Sequence, residues 1–516
     1  MSELAKADAP RRSRAARFNL ASQGLGLLLS VATGFLLAPL VLRSVEPSLY
    51  GAWMATGNVL AWLAMVDPGT QAVLRQRAAE AFGRGDKRGM ESAIGTGLAV
   101  NTVFSLLFVA LSLLASLFVP GLVNLSGPAA AQLAFAFALA AVAEGTLMLA
   151  LGLSSVLLAL MWSTGWLGAA YLVATAAGFA ASVGLLLGGH GLWAVPAGLL
   201  VRALLLLLAH AALLWEGLRA HHLRPTLGRD ELRAVLQLSS ATWLSKLGSS
   251  ALRGLDGLTV ARWVEPAAVA RLTLSRRPMD VIGQLVARAG SAFSPTVAYL
   301  AGERSPELPR LVLRLLRLVL AASALGLCGY VALGEQFVRL WVGQALFSGA
   351  AALWVYAALG VWLGVQALLS ELSYSAGRIE AVSRLVVFEA ILATAGMALG
   401  AVAGAGLLAP GLGGLLAAAV AFTFGWRQVW REALQLGDAE VRAVTACAVR
   451  LLGLGALGGG LLRALLPPAG SWWTFAAEAL AVVALLSPLL LLAEPALRPE
   501  AAGLLKTLSR RGKAAT

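Results

Sequence analysis

The sequence predicts an all-α polytopic membrane protein, and three observations carry that prediction. Of its 516 residues, 59% are hydrophobic and only 13% charged, where soluble domains carry about 25% charged residues. Apolar runs of about 20 residues, enough to cross a hydrocarbon core of about 30 Å, recur from Phe18 to Glu494. The net charge of +14 belongs mostly to the segments between those runs, where basic residues set membrane orientation. A soluble enzyme is excluded, and the charge gives no reason to expect a nucleic-acid partner.

Breaks at charged, Pro and Gly clusters place fourteen helices near 18–42, 50–74, 91–118, 130–154, 165–187, 191–216, 234–261, 268–297, 308–333, 349–375, 379–404, 407–428, 441–464 and 473–494. The first follows Arg11, Arg12, Arg14 and Arg17 and is too long for a cleaved signal core, so it reads as a retained span. The second contains Asp67-Pro68-Gly69, which marks a kink or an end. No charged loop separates the fourth from the fifth, and the thirteenth carries Arg450 and Arg463. Counting Lys and Arg beside the spans puts twenty-six on the side of the N-terminus and five on the other. Both termini are therefore expected in the cytoplasm.

A repeat divides the chain. Val41-Leu-Arg43-Ser-Val45-Glu46-Pro47 recurs as Val260-Ala-Arg262-Trp-Val264-Glu265-Pro266, and at the same offset Ala79 matches Ala298 and Gly83 matches Gly302. Six helices lie between the copies, an even number, so the halves run parallel through the membrane and an axis along its normal relates them. The expected organisation is a basic N-terminus (1–17), an N-lobe of helices 1–6 (18–216), a cytoplasmic linker (217–233), a C-lobe of helices 7–12 (234–430), an additional pair 13–14 (431–494) and a cytoplasmic tail (495–516). The two six-helix lobes are expected around a central cavity.

Catalytic signatures, nucleotide loops and metal-ligand spacings are missing, so no catalytic residue, metal or cofactor is expected. Cys328 and Cys447 fall inside apolar segments, and His190, His210, His221 and His222 read as loop or interfacial residues. The informative residues are Lys246, Arg253, Asp256, Arg276, Arg277, Asp280 and Arg288 on helices seven and eight. At about 2.5–3.5 kcal/mol for each charge facing lipid, they must face protein or water. Thr242, Lys246, Ser249, Arg253 and Asp256 share one helical face, and Thr273, Arg277, Asp280, Gln284, Arg288 and Ser291 share another. Part of this charge can cancel locally through Arg253 with Asp256 and Arg277 with Asp280, three residues apart. Lys246, Arg276 and Arg288 then remain as a cationic surplus suited to an anionic ligand, and distant carboxylates such as Glu371 or Glu389 offer the alternative of a purely structural network. Helix one carries a milder stripe including Asn19 and Gln23, and helix two adds Asn58; small residues on helix one also suit close helix packing. Asp256 and Asp280 are the candidates for a coupling ion, although proximity to Arg favours a standing ion pair.

The residues resemble a known family, the O-antigen and capsule type of polysaccharide flippase in the multidrug/oligosaccharidyl-lipid/polysaccharide exporter superfamily. The likeness covers about residues 18–430. It rests on Tyr50-Gly51, Asp67-Pro68-Gly69 and Arg75, Gly83-Arg84-Gly85-Asp86, Pro295, Leu340-Trp341-Val342-Gly343 and Ala376-Gly377-Arg378, in that order. The resemblance implies alternating access in a bacterial inner membrane, a substrate made of an oligosaccharide on undecaprenyl diphosphate, and exchange against a proton or sodium ion. It also implies a polysaccharide polymerase and glycosyltransferases as partners. Two other readings stand beside it: an ion-coupled multidrug exporter of the same superfamily, which would favour an anionic aromatic pocket, and a non-transporting scaffold for glycan-synthesis enzymes.

Overall fold

The computed structural model describes residues 25, 29, 31–160, 162, 164–235, 237, 243 and 256–499, with backbone alone at 164, 287–292, 294 and 295. Among the described residues every regular element is a helix, and eleven helices are long and apolar enough to cross a membrane. Three of the fourteen expected spans fall outside that tally for identifiable reasons. The first is described from Val31 as the apolar helix Val31–Ser44 (α1), and most of the seventh lies outside the described residues. The eighth is a continuous helix of 37 residues, Pro266–Gly302, and is not among the eleven.

The chain forms two compact units, residues 1–270 and 271–516. In the first, the second expected span is broken where Asp67-Pro68-Gly69 predicts a break. Helix α2 (Pro47–Leu63) runs into a short 3-10 turn, Ala64–Val66, and a new helix α3 (Thr70–Arg84) begins after Gly69. Asp67 is buried, and its Oδ1 accepts from the Gly69 N–H at 3.1 Å, the Thr70 N–H at 2.8 Å and the Thr70 hydroxyl at 2.7 Å. One carboxylate thus satisfies the orphan donors of a helix start, while Gly69 takes a φ of 104° that other residues avoid.

Helices α4 (Lys87–Ser116), α5 (Gly127–Ala159), α6 (Thr164–Leu187) and α7 (Ala194–Ala220) complete this unit, with α7 packed on both α5 and α6. His210 departs from the expectation of a loop or interfacial residue. It is buried in α7, and its Nδ1 lies 2.9 Å from the Ala150 carbonyl of α5, a bond that joins the two helices. The linker is fastened rather than loose. Glu231 takes a two-pronged bond from Arg77 at 2.8 and 2.6 Å, Glu91 accepts from the Arg224 N–H at 2.9 Å, and Gly228 N–H donates to Thr96 at 2.9 Å. The carboxylate bonded to Arg77 raises that guanidinium above its ordinary range.

The repeat is visible in this unit as matching helix starts. Glu46-Pro47 opens α2 and Glu265-Pro266 opens the next long helix, α8 (Pro266–Gly302), with Pro at the first turn where a missing N–H costs nothing. The two starts touch: a Cβ on Gly51 would stand 1.9 Å from the Pro266 carbonyl oxygen. Only glycine permits that approach.

In the second unit, α9 (Glu307–Trp341), α10 (Ala350–Ser375), α11 (Ile379–Val402) and α12 (Ala409–Ala421) are followed by a π-helical segment, Phe422–Trp426, and by α13 (Arg427–Leu434), α14 (Asp438–Leu465) and α15 (Trp472–Ala493). The two arginines inside the thirteenth span acquire an explanation here. Arg450 bonds Glu494 at 2.5 Å, Arg317 of α9 reaches the same carboxylate at 3.5 Å, and Arg463 pairs with Glu335 of α9. Between these clamps the helices close on glycine: a Cβ on Gly455 would lie 2.5 Å from the Ala324 carbonyl, and one on Gly459 would lie 3.0 Å from that of Cys328. Small residues four apart let helix backbones meet in a membrane. Gly455→Leu is therefore expected to lift α14 off α9 and cost about 1–3 kcal/mol, read as a lowered thermal midpoint of the purified protein; an unchanged midpoint would show that this crossing contributes nothing.

Candidate functional site: the polar face of helix α8

The sequence of α8 decides which of its faces packs. Ser275, Met279 and Val286 are buried, at the spacing of one helical face. Glycines of the neighbouring helices receive this face: a Cβ on Gly326 of α9 would be 3.0 Å from Ile282, and one on Gly360 of α10 would be 2.6 Å from Met279. Ser275 ties the same face to the loop after α9, donating to the Leu346 carbonyl at 3.2 Å and accepting from the Ser348 N–H at 3.0 Å, while the Tyr330 hydroxyl donates to the Ser275 carbonyl at 3.1 Å. Leu340-Trp341-Val342-Gly343 spans the end of α9 and the start of that loop, and Gly343 holds a φ of 97°.

The opposite face carries the predicted stripe. Thr273, Arg276, Arg277 and Asp280 are half-buried and Gln284 is exposed. Asp280 is paired, but not with Arg277 as the three-residue spacing suggested. Its partner is Arg276, four residues away, with Nε 3.2 Å from Oδ1, because a separation of four places side chains one above the other as well as three does. The Arg276 guanidinium also lies 5.6 Å from the ring centroid of Tyr356 on α10, whose hydroxyl is fixed by the Leu407 carbonyl at 2.9 Å. Arg276, expected to be uncompensated, is thus balanced. Arg277 makes no hydrogen bond or ion pair with any described residue. Among the described residues of this part of the stripe, Arg277 is the surplus charge, beside the Arg276–Asp280 pair.

The other expected site residues are distributed unevenly. In the first unit Asn58 is half-buried on α2, with Nδ2 3.2 Å from where a Cβ on Gly257 would stand, and Asp256 is buried and accepts from the Gly257 N–H at 2.7 Å. Asn58 and the end of the seventh span are therefore brought together. Asn19, Gln23, Lys246 and Arg253 lie outside the described residues, and Arg288 is described only as backbone of α8. No group of three or more His, Cys, Asp or Glu able to hold a metal occurs among the described residues.

Glu389, named from the sequence only as a distant carboxylate, proves to have its own surroundings. It is 1% exposed within α11 and accepts from Trp362 Nε1 at 3.0 Å, Gln366 Nε2 at 2.5 Å and Trp426 Nε1 at 2.6 Å. The π-helical segment that contains Trp426 turns that indole toward the carboxylate. Among the described residues no Arg or Lys bonds Glu389.

Residues 166–348 match the family model described as "Polysaccharide biosynthesis protein". No curated protein matches the chain. Among solved structures, the lipid II flippase MurJ in its inward closed conformation superposes with a TM-score of 0.67 at 11% identity, covering 92% of this chain and 98% of its own. An inward-facing multidrug resistance MATE family transporter of the MOP superfamily gives 0.64 at 16% identity, over 80% of this chain and 95% of its own. Identities this low speak for the fold alone. The chain is thus a multi-pass membrane protein with the fold of MurJ and the MATE transporters, and both this fold and the polysaccharide-biosynthesis match are what its resemblance to the polysaccharide flippases of that superfamily implies.

Proposed function

We propose that the protein moves an undecaprenyl-diphosphate-linked oligosaccharide from the cytoplasmic to the outer face of the bacterial inner membrane, by alternating access and with both termini in the cytoplasm. The observation that carries this reading is Arg277, a half-buried guanidinium with no hydrogen-bond or ion-pair partner among the described residues, on the polar face of α8 beside the Arg276–Asp280 pair. Arg binds phosphate oxygens through two parallel donors, and charge-assisted bonds of this kind are about twice as strong as neutral ones. The match to a polysaccharide-biosynthesis model supports the glycan part of the substrate. Lys246, Arg253, Arg276 and Arg288 belong to the same proposed anion-handling stripe, and Asn19, Gln23 and Asn58 to its uncharged flank. Of the two carboxylates considered for proton or sodium coupling, Asp280 is held by Arg276, which favours a standing ion pair. The glycosyltransferases that make such a substrate and the polymerase that consumes it are the partners this reading implies.

The multidrug exporter shares the fold, but a cationic drug would meet like charge at Arg277. The test is transport in vesicles: protein reconstituted into liposomes, fed undecaprenyl-diphosphate-linked oligosaccharide on one leaflet, should make that glycan accessible to a hydrolase on the other. Liposomes that move a cationic dye but leave the glycan lipid in place would overturn the proposal in favour of the exporter.

A further inference from the structure

At the end of α15 one carboxylate serves two arginines. Glu494 is buried, accepts from Arg450 of α14 at 2.5 Å and lies 3.5 Å from Arg317 Nε of α9. A 3-10 turn, Pro495–Leu497, then carries the chain back against α15. Leu497 enters the core that α9, α14 and α15 share, and Arg498 Nε donates to the Leu491 carbonyl at 3.2 Å, which sets a third guanidinium at the same end of α15. Among the described residues the cations here outnumber the anion. Other ion pairs between elements of this unit are single, as in Arg463 with Glu335 and Arg431 with Asp438. The side chains of Arg317 and Arg450 are 31% and 52% exposed, and beyond Glu494 neither bonds a described residue. Donors of both guanidiniums are thus left unused.

The level of this cluster in the membrane follows from α15. Its 22 residues span about 33 Å at 1.5 Å per residue, close to the thickness of a hydrocarbon core. It opens on the exposed Trp472 and Trp473, residues typical of a membrane interface, so Glu494 just past its other end stands at the opposite interface. Val449, Leu489 and Leu492 are exposed there, and apolar side chains at that depth meet acyl chains. Toward the aqueous side α9 and α14 extend about 15–18 Å beyond Arg317 and Arg450. Surplus cations on such a boundary lie at the height of lipid phosphates.

We propose that Arg317, Arg450 and Arg498 form a binding site for the phosphate of an anionic glycerophospholipid whose acyl chains lie along α14 and α15. The charge surplus selects the class. A zwitterionic lipid brings its own cation to the arginines, whereas phosphatidylglycerol brings a net anion, and a guanidinium engages two phosphate oxygens at once. Glu494 has two effects: it fixes Arg317 and Arg450 in place, and it competes with the phosphate for them. A bound lipid adds a further tie among α9, α14 and the end of α15. The site belongs to the second unit alone and does not depend on the flippase reading.

The test uses the purified full-length protein in a neutral detergent, titrated separately with short-chain phosphatidylglycerol, short-chain phosphatidylcholine and inorganic phosphate. Thermal midpoints at each concentration give an apparent affinity. Phosphatidylglycerol is expected to raise the midpoint, and the other two are not. Arg450→Gln and Arg498→Gln should each weaken phosphatidylglycerol about tenfold, whereas Arg384→Gln, from an exposed pair on α11, should leave it unchanged. Arg498→Gln gives up one bond to a backbone carbonyl, so it reports on the lipid even if Arg450→Gln proves too unstable to purify. Glu494→Gln separates a lipid site from a helix clamp: it should lower the midpoint without lipid and yet tighten phosphatidylglycerol, because the competing carboxylate is gone. A wild-type midpoint indifferent to phosphatidylglycerol, or raised equally by phosphatidylcholine or by inorganic phosphate, would overturn the proposal. So would wild-type affinity in Arg498→Gln together with unchanged affinity in Glu494→Gln, which would leave the cluster a clamp between helices and nothing more.

Discussion

Reversing the charge of Arg277 is expected to abolish outer-face glycan assembly, lowering it by two orders of magnitude or more, in protein that still reaches the membrane. Two features of the structure make this effect large and separable from folding. Arg276 and Asp280 cancel each other at 3.2 Å, so among the described residues of this face Arg277 supplies the surplus, and Arg277→Glu turns a local charge of about +1 into about −1. At an effective dielectric of about 20, one charge pair at about 4 Å is worth about 4 kcal/mol before desolvation; reversal replaces that attraction by repulsion. Arg277 makes no hydrogen bond or ion pair with a described residue, so its replacement breaks none of these and should change stability by about 0.5 kcal/mol or less. Arg277→Lys should keep part of the activity, because the charge remains and the paired donors do not. Arg276→Ala makes a useful contrast, since it removes the cation paired with Asp280 and leaves Arg277 in place. Glycan at the cell surface, normalised to membrane abundance, is the measurement. Full assembly in a well-expressed Arg277→Glu variant would remove α8 from the substrate path.

The fold was largely legible in the sequence because membrane helices announce themselves one at a time. Length and hydropathy locate each span, Asp67-Pro68-Gly69 marks the break that Asp67 caps, and the repeat at Glu46-Pro47 and Glu265-Pro266 fixes two equivalent helix starts. The polar face of α8 was legible for the same reason, since a stripe lies within one helix and obeys its period. Contacts between helices were not. Spacing alone leaves Asp280 equally close to Arg276 and Arg277, and only the rotamers choose the former. The cage around Glu389 draws on residues 362, 366 and 426, and the Arg202–Tyr171 contact joins two spans, so no periodic signal exists for either. The available signal was weaker but real: an ionisable residue inside an apolar run is costly enough to demand a partner, and Glu144, Arg202 and Glu389 all stood in such runs.

Removing the Glu389 carboxylate should cost more stability than any other single polar substitution in the second unit. The carboxylate is the shared acceptor for the indole N–H groups of Trp362 and Trp426 and the amide of Gln366, and at 1% exposure no bulk water can replace it. Leaving a buried donor unsatisfied costs about 1–3 kcal/mol, so Glu389→Ala, which orphans three, is expected to lose about 3–6 kcal/mol, a large share of the 5–15 kcal/mol typical of folded proteins. Glu389→Gln should fall between, because its amide keeps one acceptor oxygen and turns an N–H group toward donors. Thermal unfolding in detergent, followed by tryptophan emission, would rank the three proteins. The hydrogen-bond origin of the loss has its own signature. When all partners of a buried bond are made apolar together, little of the cost remains, so Glu389→Leu combined with Trp362→Phe, Gln366→Leu and Trp426→Phe should recover much of what Glu389→Ala loses. If Glu389→Ala matches the wild-type midpoint, the cage does not hold α10, α11 and the Phe422–Trp426 segment together; if the combined variant is no better than Glu389→Ala, shape rather than hydrogen bonding is what the carboxylate supplies.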